Sequence, residues 1–158
     1  MNNESLSIHG VLLSIDNIGI IIRGKSGIGK SECAAELINK GAKLVADDLI
    51  VVTLTDGALI GASPEKIRNL IEIRGIGILN VKDIFGALAV MKESKIHLII
   101  DLIEFNKENK YDRLGYDTVQ EKIMSVALPK IQIPVSPGRN VSTLIEIALK
   151  KLKFEDRL

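Results

Sequence analysis

Gly24-Lys25-Ser26-Gly27-Ile28-Gly29-Lys30-Ser31 fits the pattern Gly-x-x-x-x-Gly-Lys-Ser/Thr, a loop whose backbone N–H groups cradle nucleotide phosphates. In that chemistry the lysine, here Lys30, reaches the terminal phosphates and neutralises charge that develops during transfer. The hydroxyl, here Ser31, ligates Mg2+. The surroundings agree: an apolar strand, Ile18-Gly19-Ile20-Ile21-Ile22, runs in, and a helical segment from Lys30 to Lys40 runs out. Strand, loop and helix in that order bring N–H groups and a helix N-terminus onto one anion.

Such a loop also needs a carboxylate at the end of an apolar strand. Two strands offer one: Leu44-Val45-Ala46 ends at Asp47-Asp48, and the run from Ile96 to Ile103 contains Asp101. Spacing alone leaves both open. The adjacent pair allows divided labour, one acid for metal and one for proton transfer, with mutual repulsion raising one pKa towards a useful base. His9 lies on the strand before the loop strand and, if that hairpin pairs in simple register, faces the loop's end of the sheet, although a lone histidine near a strand is more often structural; His97 falls inside an apolar strand. Glu72 and Arg74 alternate with Ile71 and Ile73, hence share one face, and Gly75 and Gly77 beside them suggest a close backbone approach. Arg113 and Arg139 sit in glycine-bearing loops and are candidate phosphate clamps.

Positioning these groups requires a sheet. Residues 8–14 and 18–22, separated by Ile15-Asp16-Asn17, read as a β-hairpin entering the loop, which hints at a mixed sheet rather than an all-parallel one. Thr55-Asp56-Gly57 marks a second hairpin, and Gly41 closes the helix after the loop. Ser63-Pro64 reads as the start of a short helix to Leu70, residues 71–80 as one strand, and 81–85 as a helical turn closed by Gly86. Residues 117–125 read as weakly helical, and 129–135 as a strand near an edge because of its prolines. An amphipathic helix over 142–154 ends the pattern.

Composition narrows the function classes. With 158 residues, 46% of them hydrophobic, the chain suits one α/β domain over 1–158. A net charge of +1 and few aromatic residues give no case for nucleic acid as partner. The apolar runs are too interrupted for a membrane span, and the N-terminus lacks signal-peptide character, so a cytoplasmic protein is expected. The one cysteine, Cys33, reads as a small core residue.

Taken together, His9-Gly10-Val11-Leu12-Leu13, the loop from Gly24 to Glu32, Leu44-Val45-Ala46-Asp47-Asp48, Glu72-Ile73-Arg74-Gly75-Ile76-Gly77-Ile78, Tyr111-Asp112-Arg113-Leu114-Gly115 and Pro134-Val135-Ser136-Pro137-Gly138-Arg139-Asn140 stand in an order that resembles the catalytic domain of HPr kinase/phosphorylase. The resemblance runs from His9 to the last helix. It implies a P-loop-containing mixed β-sheet flanked by helices, related to phosphoenolpyruvate carboxykinase. It further implies ATP- and Mg2+-dependent phosphorylation of a serine on HPr or an HPr-like phosphocarrier, and phosphorolytic dephosphorylation giving pyrophosphate. By the same resemblance Asp47 is the acid/base, His9 its associated histidine, Ser31 and Glu72 the magnesium positions and Arg113 an active-site arginine. Residues 72–81 match a segment needed in both directions and 134–140 one needed for dephosphorylation; Asp101 matches no family role. Typical members carry an additional N-terminal domain, which this chain is expected to lack, and assemble as hexamers. A P-loop kinase with another acceptor, or a non-catalytic nucleotide sensor, are the alternatives; intact His9, Lys30, Asp47 and Arg113 argue against the second.

Overall fold

The computed structural model describes residues 4–105 and 119–158. Strands β1 (Ser5–His9), β2 (Val11–Ile15) and β3 (Ile18–Arg23) lead into the glycine-rich loop and helix α1 (Lys30–Asn39). Then follow β4 (Lys43–Ala46), β5 (Leu49–Thr55), β6 (Ala58–Ala62), β7 (Leu70–Ile73), β8 (Gly77–Asn80) and a short helix α2 (Val81–Phe85). The chain continues through β9 (Glu93–Lys95), β10 (Leu98–Glu104), β11 (Val119–Ile123), β12 (Val126–Val135) and α3 (Val141–Phe154).

The central sheet has six strands in the order β11-β12-β10-β3-β2-β4. β12, β10 and β3 run parallel, while β11, β2 and β4 are antiparallel to their neighbours. The expected mixed sheet is therefore present. Alternation divides its apolar residues between two cores: Val11, Leu13, Ile20, Ile22, Leu98 and Ile100 face α1 and α3, whereas Leu12, Ile21 and Ile99 face a second sheet, β1-β5-β6-β9. A sheet covered on both sides reads as near-continuous Ile, Leu and Val, as this sequence does. The C-terminal ends of its three parallel strands, at Arg23, Glu104 and Val135, lie at one edge with the glycine-rich loop and the turn after Val135, where ligands of open α/β sheets bind.

Several expected elements hold. β2 and β3 form the predicted hairpin, with Asp16 and Asn17 both at positive φ as a two-residue turn requires. β5 and β6 pair around Asp56-Gly57, α2 ends at Gly86, and β10 is deeply buried.

Others are corrected. Residues 8–14 do not form one strand: the chain breaks at Gly10, so β1 with His9 joins the second sheet and pairs with β5. After Ser63-Pro64 there is only a 3-10 turn, Glu65–Ile67, with no side-chain cap, because the Ser63 hydroxyl donates to the Pro64 carbonyl instead. Residues 71–80 are two strands, β7 and β8, folded on each other around Arg74–Ile76. The part of 117–125 that is described is strand and turn, not helix, since β11 pairs with β12. β12 is not an edge strand; it lies between β11 and β10. Its prolines fit because β11 pairs with Val126 to Lys130 and β10 with Lys130 to Val135. Among the described residues, Pro129 and Pro134 each thus face a partner on one side only, and neither ladder needs the missing N–H.

Candidate active site

A cavity of about 700 Å3 opens at the glycine-rich loop. β3 delivers Gly24, and Gly29, at φ 106, turns the chain into α1 in a left-handed conformation with no side-chain cap over the helix N-terminus. The first-turn N–H groups of α1, which have no intrahelical acceptor, are thereby left for a ligand. Lys30 lies across the loop, its ammonium donating to the carbonyls of Gly24 at 2.5 Å and Lys25 at 3.0 Å. Gly24, Ser26, Gly27, Gly29, Lys30 and Ser31 all border the cavity. Lys25 and Ile28 do not share that role: Lys25 pairs with Glu104 at the end of β10, and Ile28 packs against the core.

Asp47 and Asp48 follow β4 and face the loop across the cavity. Asp47 is 7% exposed. Its Oδ1 accepts from the Ser31 hydroxyl at 3.1 Å and its Oδ2 from the Glu72 backbone N–H at 3.1 Å, so one carboxylate ties α1 to β7. Burial pushes the Asp47 carboxyl above its ordinary value, and those hydrogen bonds hold it back; repulsion from Asp48, the expected cause, is the smallest contribution. Asp48 is solvent-exposed at φ 71, in a tight turn closed by the Leu49 N–H on the Asp47 carbonyl at 2.8 Å. A non-glycine residue held there costs on the order of 1–3 kcal/mol, a cost concentrated at functional sites. The two acids thus divide by burial: both border the cavity, but Asp47 is buried and Asp48 is exposed.

Glu72 and Arg74 project outward from the hairpin while Ile71 and Ile73 are buried, the alternation expected. Both border the cavity. The Arg74 guanidinium hangs over the loop, 3.5 Å from where a Cβ on Gly27 would lie, and Gly75 forms the turn beyond it at φ 87. His9 reaches the cavity from the end of β1 in the second sheet, not from the loop hairpin, and Gly10 donates its N–H to the Asp48 carbonyl at 3.1 Å. Among the described residues no cluster of three or more His, Cys, Asp or Glu side chains could hold a metal. The Ser31 hydroxyl and the Glu72 carboxylate fit Mg2+ nonetheless, since this ion takes one or two protein ligands together with phosphates and water.

Gly138, Arg139 and Asn140 are not in this cavity. They line a neighbouring hollow of about 420 Å3 with Gly29, Glu32 and Glu36, and Asn140 caps α3 by accepting the Thr143 N–H at 3.1 Å. Arg113, with Tyr111, Asp112, Leu114 and Gly115, lies outside the described residues. Asp101 is turned away, held by two hydrogen bonds from Arg23 at 2.7 and 3.0 Å. Cys33 is buried and its thiol is pushed up to about 12 by burial, in keeping with a core residue.

The cavity is also lined by Gly10, Glu32, Ile67, Leu70, Ile71 and Ile78, to which the motif chemistry gave no individual role. Gly10, Glu32 and Ile78 stand in the strings that carry the resemblance, and Ile71 alternates with Glu72, whereas nothing in the sequence marked Ile67 or Leu70. Among the described residues no helix is long and apolar enough to cross a membrane.

The sequence model of the family described as "HPr Serine kinase C-terminal domain" matches residues 2–157. The HPr kinase/phosphorylase of Geobacillus thermodenitrificans is 45% identical over 150 residues, covering 94% of this chain and 48% of that protein. That of Listeria monocytogenes serovar 1/2a is 45% identical over 152 residues, covering 96% and 49%. The chain thus spans about half the length of the curated relatives it matches. Among solved structures, the Hpr(Ser) kinase/phosphatase from Coxiella burnetii superposes with a TM-score of 0.87 at 36% identity, covering 95% of this chain and 92% of that one.

Proposed function

The chain belongs to the HPr serine kinase C-terminal domain family, and from that membership we propose that it transfers the γ-phosphoryl group of ATP, with Mg2+, to a serine of HPr or an HPr-like phosphocarrier. We infer that the same site runs the reverse, attack of inorganic phosphate on the phosphoserine with release of pyrophosphate. The observation that carries this reading is Asp47: a buried carboxyl with a raised pKa, hydrogen-bonded to Ser31 of the loop and to the Glu72 backbone at the edge of the cavity.

In the forward direction Asp47 takes the proton of the acceptor serine as its oxygen bonds to the γ-phosphorus and the bond from that phosphorus to ADP breaks. In reverse, an oxygen of inorganic phosphate bonds to the phosphorus, the serine oxygen leaves, and Asp47 returns the proton. One carboxyl serves both directions because the base of a forward step is the acid of its reverse. The raised pKa makes Asp47 a stronger base than an exposed aspartate. Lys30 and the loop N–H groups, from Gly24 to Ser31, bind the phosphates, and Arg74 adds positive charge above Gly27. Ser31 and Glu72 would hold magnesium, whose positive charge would offset that of the phosphates. His9 attends Asp47, Asp48 and Gly75 shape the rim, and Arg113 completes the cationic set. Gly138, Arg139 and Asn140 serve the phosphorolytic direction from the neighbouring hollow. The unit is proposed to act as one catalytic domain over residues 1–158, as a cytoplasmic homo-oligomer of the hexameric kind.

Incubation with Mg2+, ATP and purified HPr or its homologue, with phosphoserine located by peptide mass, tests the reading. Phosphate on one serine of the carrier is expected; ATP binding without transfer to any such carrier would overturn it.

A further inference from the structure

β7 and β8 form a two-stranded ribbon that pairs with neither large sheet among the described residues. Its inner face is spent on the core: Ile71 and Ile73 are buried and Leu79, opposite Ile71, packs against them. Its outer face carries Glu72 and, directly across the ladder, Ile78. Ile78 lines the cavity yet is 67% exposed, and Ile76, at the turn beside Arg74, is 71% exposed. Two large β-branched residues therefore stand in water, Ile78 across the ladder from the carboxylate proposed to hold the metal and Ile76 at the turn.

We propose that this outer face is the ledge on which the protein bearing the acceptor serine docks, with Ile76 and Ile78 as its apolar contacts; this rests on the kinase reading above. A serine delivered to Asp47 brings its protein's surface against the cavity rim, and the ribbon is the part of the rim with exposed apolar side chains. Covering Ile78 also removes water from beside Glu72, which strengthens electrostatic interactions in the site and keeps water from competing with the serine. The occupant is a transient protein partner with apolar residues flanking its serine. Two isoleucines are a small fraction of the roughly 800 Å2 per partner that a lasting interface buries, so the ledge suits a substrate that must leave better than a permanent second copy. A small-molecule acceptor would leave Ile76 uncovered.

The test uses Ile76→Ser, Ile78→Ser and the double variant, with Ile76→Leu and Ile78→Leu as apolar controls; exposed positions of this kind leave the fold intact, which thermal melts verify. Ile76 lies outside the cavity, so Ile76→Ser should keep the Kd for Mg-ATP while raising the KM for the carrier several-fold. The double variant should raise that KM about tenfold or more and increase ATP hydrolysed per phosphoserine formed, with the leucine controls near the parent. An unchanged carrier KM in the double variant would overturn the ledge. So would a KM rise that tracks dissociation of an oligomer in sedimentation velocity, which would give the face to copy–copy contact. Absence of transfer by the unsubstituted protein would overturn the kinase reading, and the ledge with it.

Discussion

Gly19 and His97 hold each other through two hydrogen bonds: the Gly19 N–H donates to Nδ1 of His97 at 3.0 Å, and the His97 N–H donates to the Gly19 carbonyl at 2.8 Å. No side chain fits at Gly19, where a Cβ would lie 1.8 Å from the Lys95 carbonyl oxygen. β3 carries the contact towards Gly24, so this pair anchors the strand that feeds the phosphate loop. His97 is an acceptor there and must be neutral.

Burial, and secondarily the charge of Lys95, lower the His97 pKa below 6.5. On acidification the unfolded chain therefore binds this proton first. The contribution of His97 is complete above about pH 6.5 and is lost as pH falls towards and through its folded pKa. Melting temperature should fall between pH 7 and 5. His97→Asn, which keeps an acceptor near the Nδ1 position, should flatten that part of the curve; an equally steep decline in the variant would assign it elsewhere.

Arg23 joins three strands. Its guanidinium donates to both oxygens of Asp101 and to both oxygens of Glu121, the latter at 2.7 and 2.8 Å, and Lys130 adds a contact to Glu121 at 3.2 Å. The Arg23 hydrogen bonds are the largest cause holding the Glu121 carboxyl at about 2, against an ordinary 4.5. That stabilisation is present above the unfolded value and is lost as pH falls from about 4.5 towards about 2. Arg23→Met should cost about 1.5–3 kcal/mol at neutral pH and weaken the acid limb below pH 4.5. Denaturant melts at pH 7 and pH 3 read both effects; equal losses at the two values would count against the network.

Lys30 is already drawn across the mouth of its loop by the Gly24 and Lys25 carbonyls. Lys30→Ala removes a charged donor of the kind worth about 1.5–3 kcal/mol, so the Kd for Mg-ATP should rise about ten- to a hundredfold. Calorimetric titration checks this. An unchanged affinity would remove the loop from phosphate binding.

What was legible in the sequence was local. The loop is a covalent pattern, the Asp16-Asn17 and Asp56-Gly57 turns are marked by residues that accept positive φ, and Ile96 to Ile103 is apolar enough to be buried in any sheet. What was not legible depended on distant partners. His9 changes sheet because Gly10 bonds to Asp48, and nothing near Gly10 announces it. Residues 71–80 alternate on both sides of Gly75, so one strand and a hairpin look alike until Ile73 is seen opposite Gly77. The turn between β11 and β12 uses Met124 and Ser125, both at positive φ, residue types that do not mark a turn. Asp101 looked available because its partner Arg23 is a neighbour only in the sheet. The closeness of Asp47 to Glu72 was likewise invisible without the resemblance, since it joins α1 and β7 through a single carboxylate.

The central claim is that one buried carboxyl serves transfer in both directions, and Asp47→Asn tests it most directly. The amide can still accept the Glu72 N–H through its oxygen, so the fold and Mg-ATP binding should persist. With proton transfer removed, phosphorylation of the carrier by ATP and phosphorolysis of the phosphoserine should both fall by about 10²–10⁴-fold. Loss of one direction with the other retained would contradict the account.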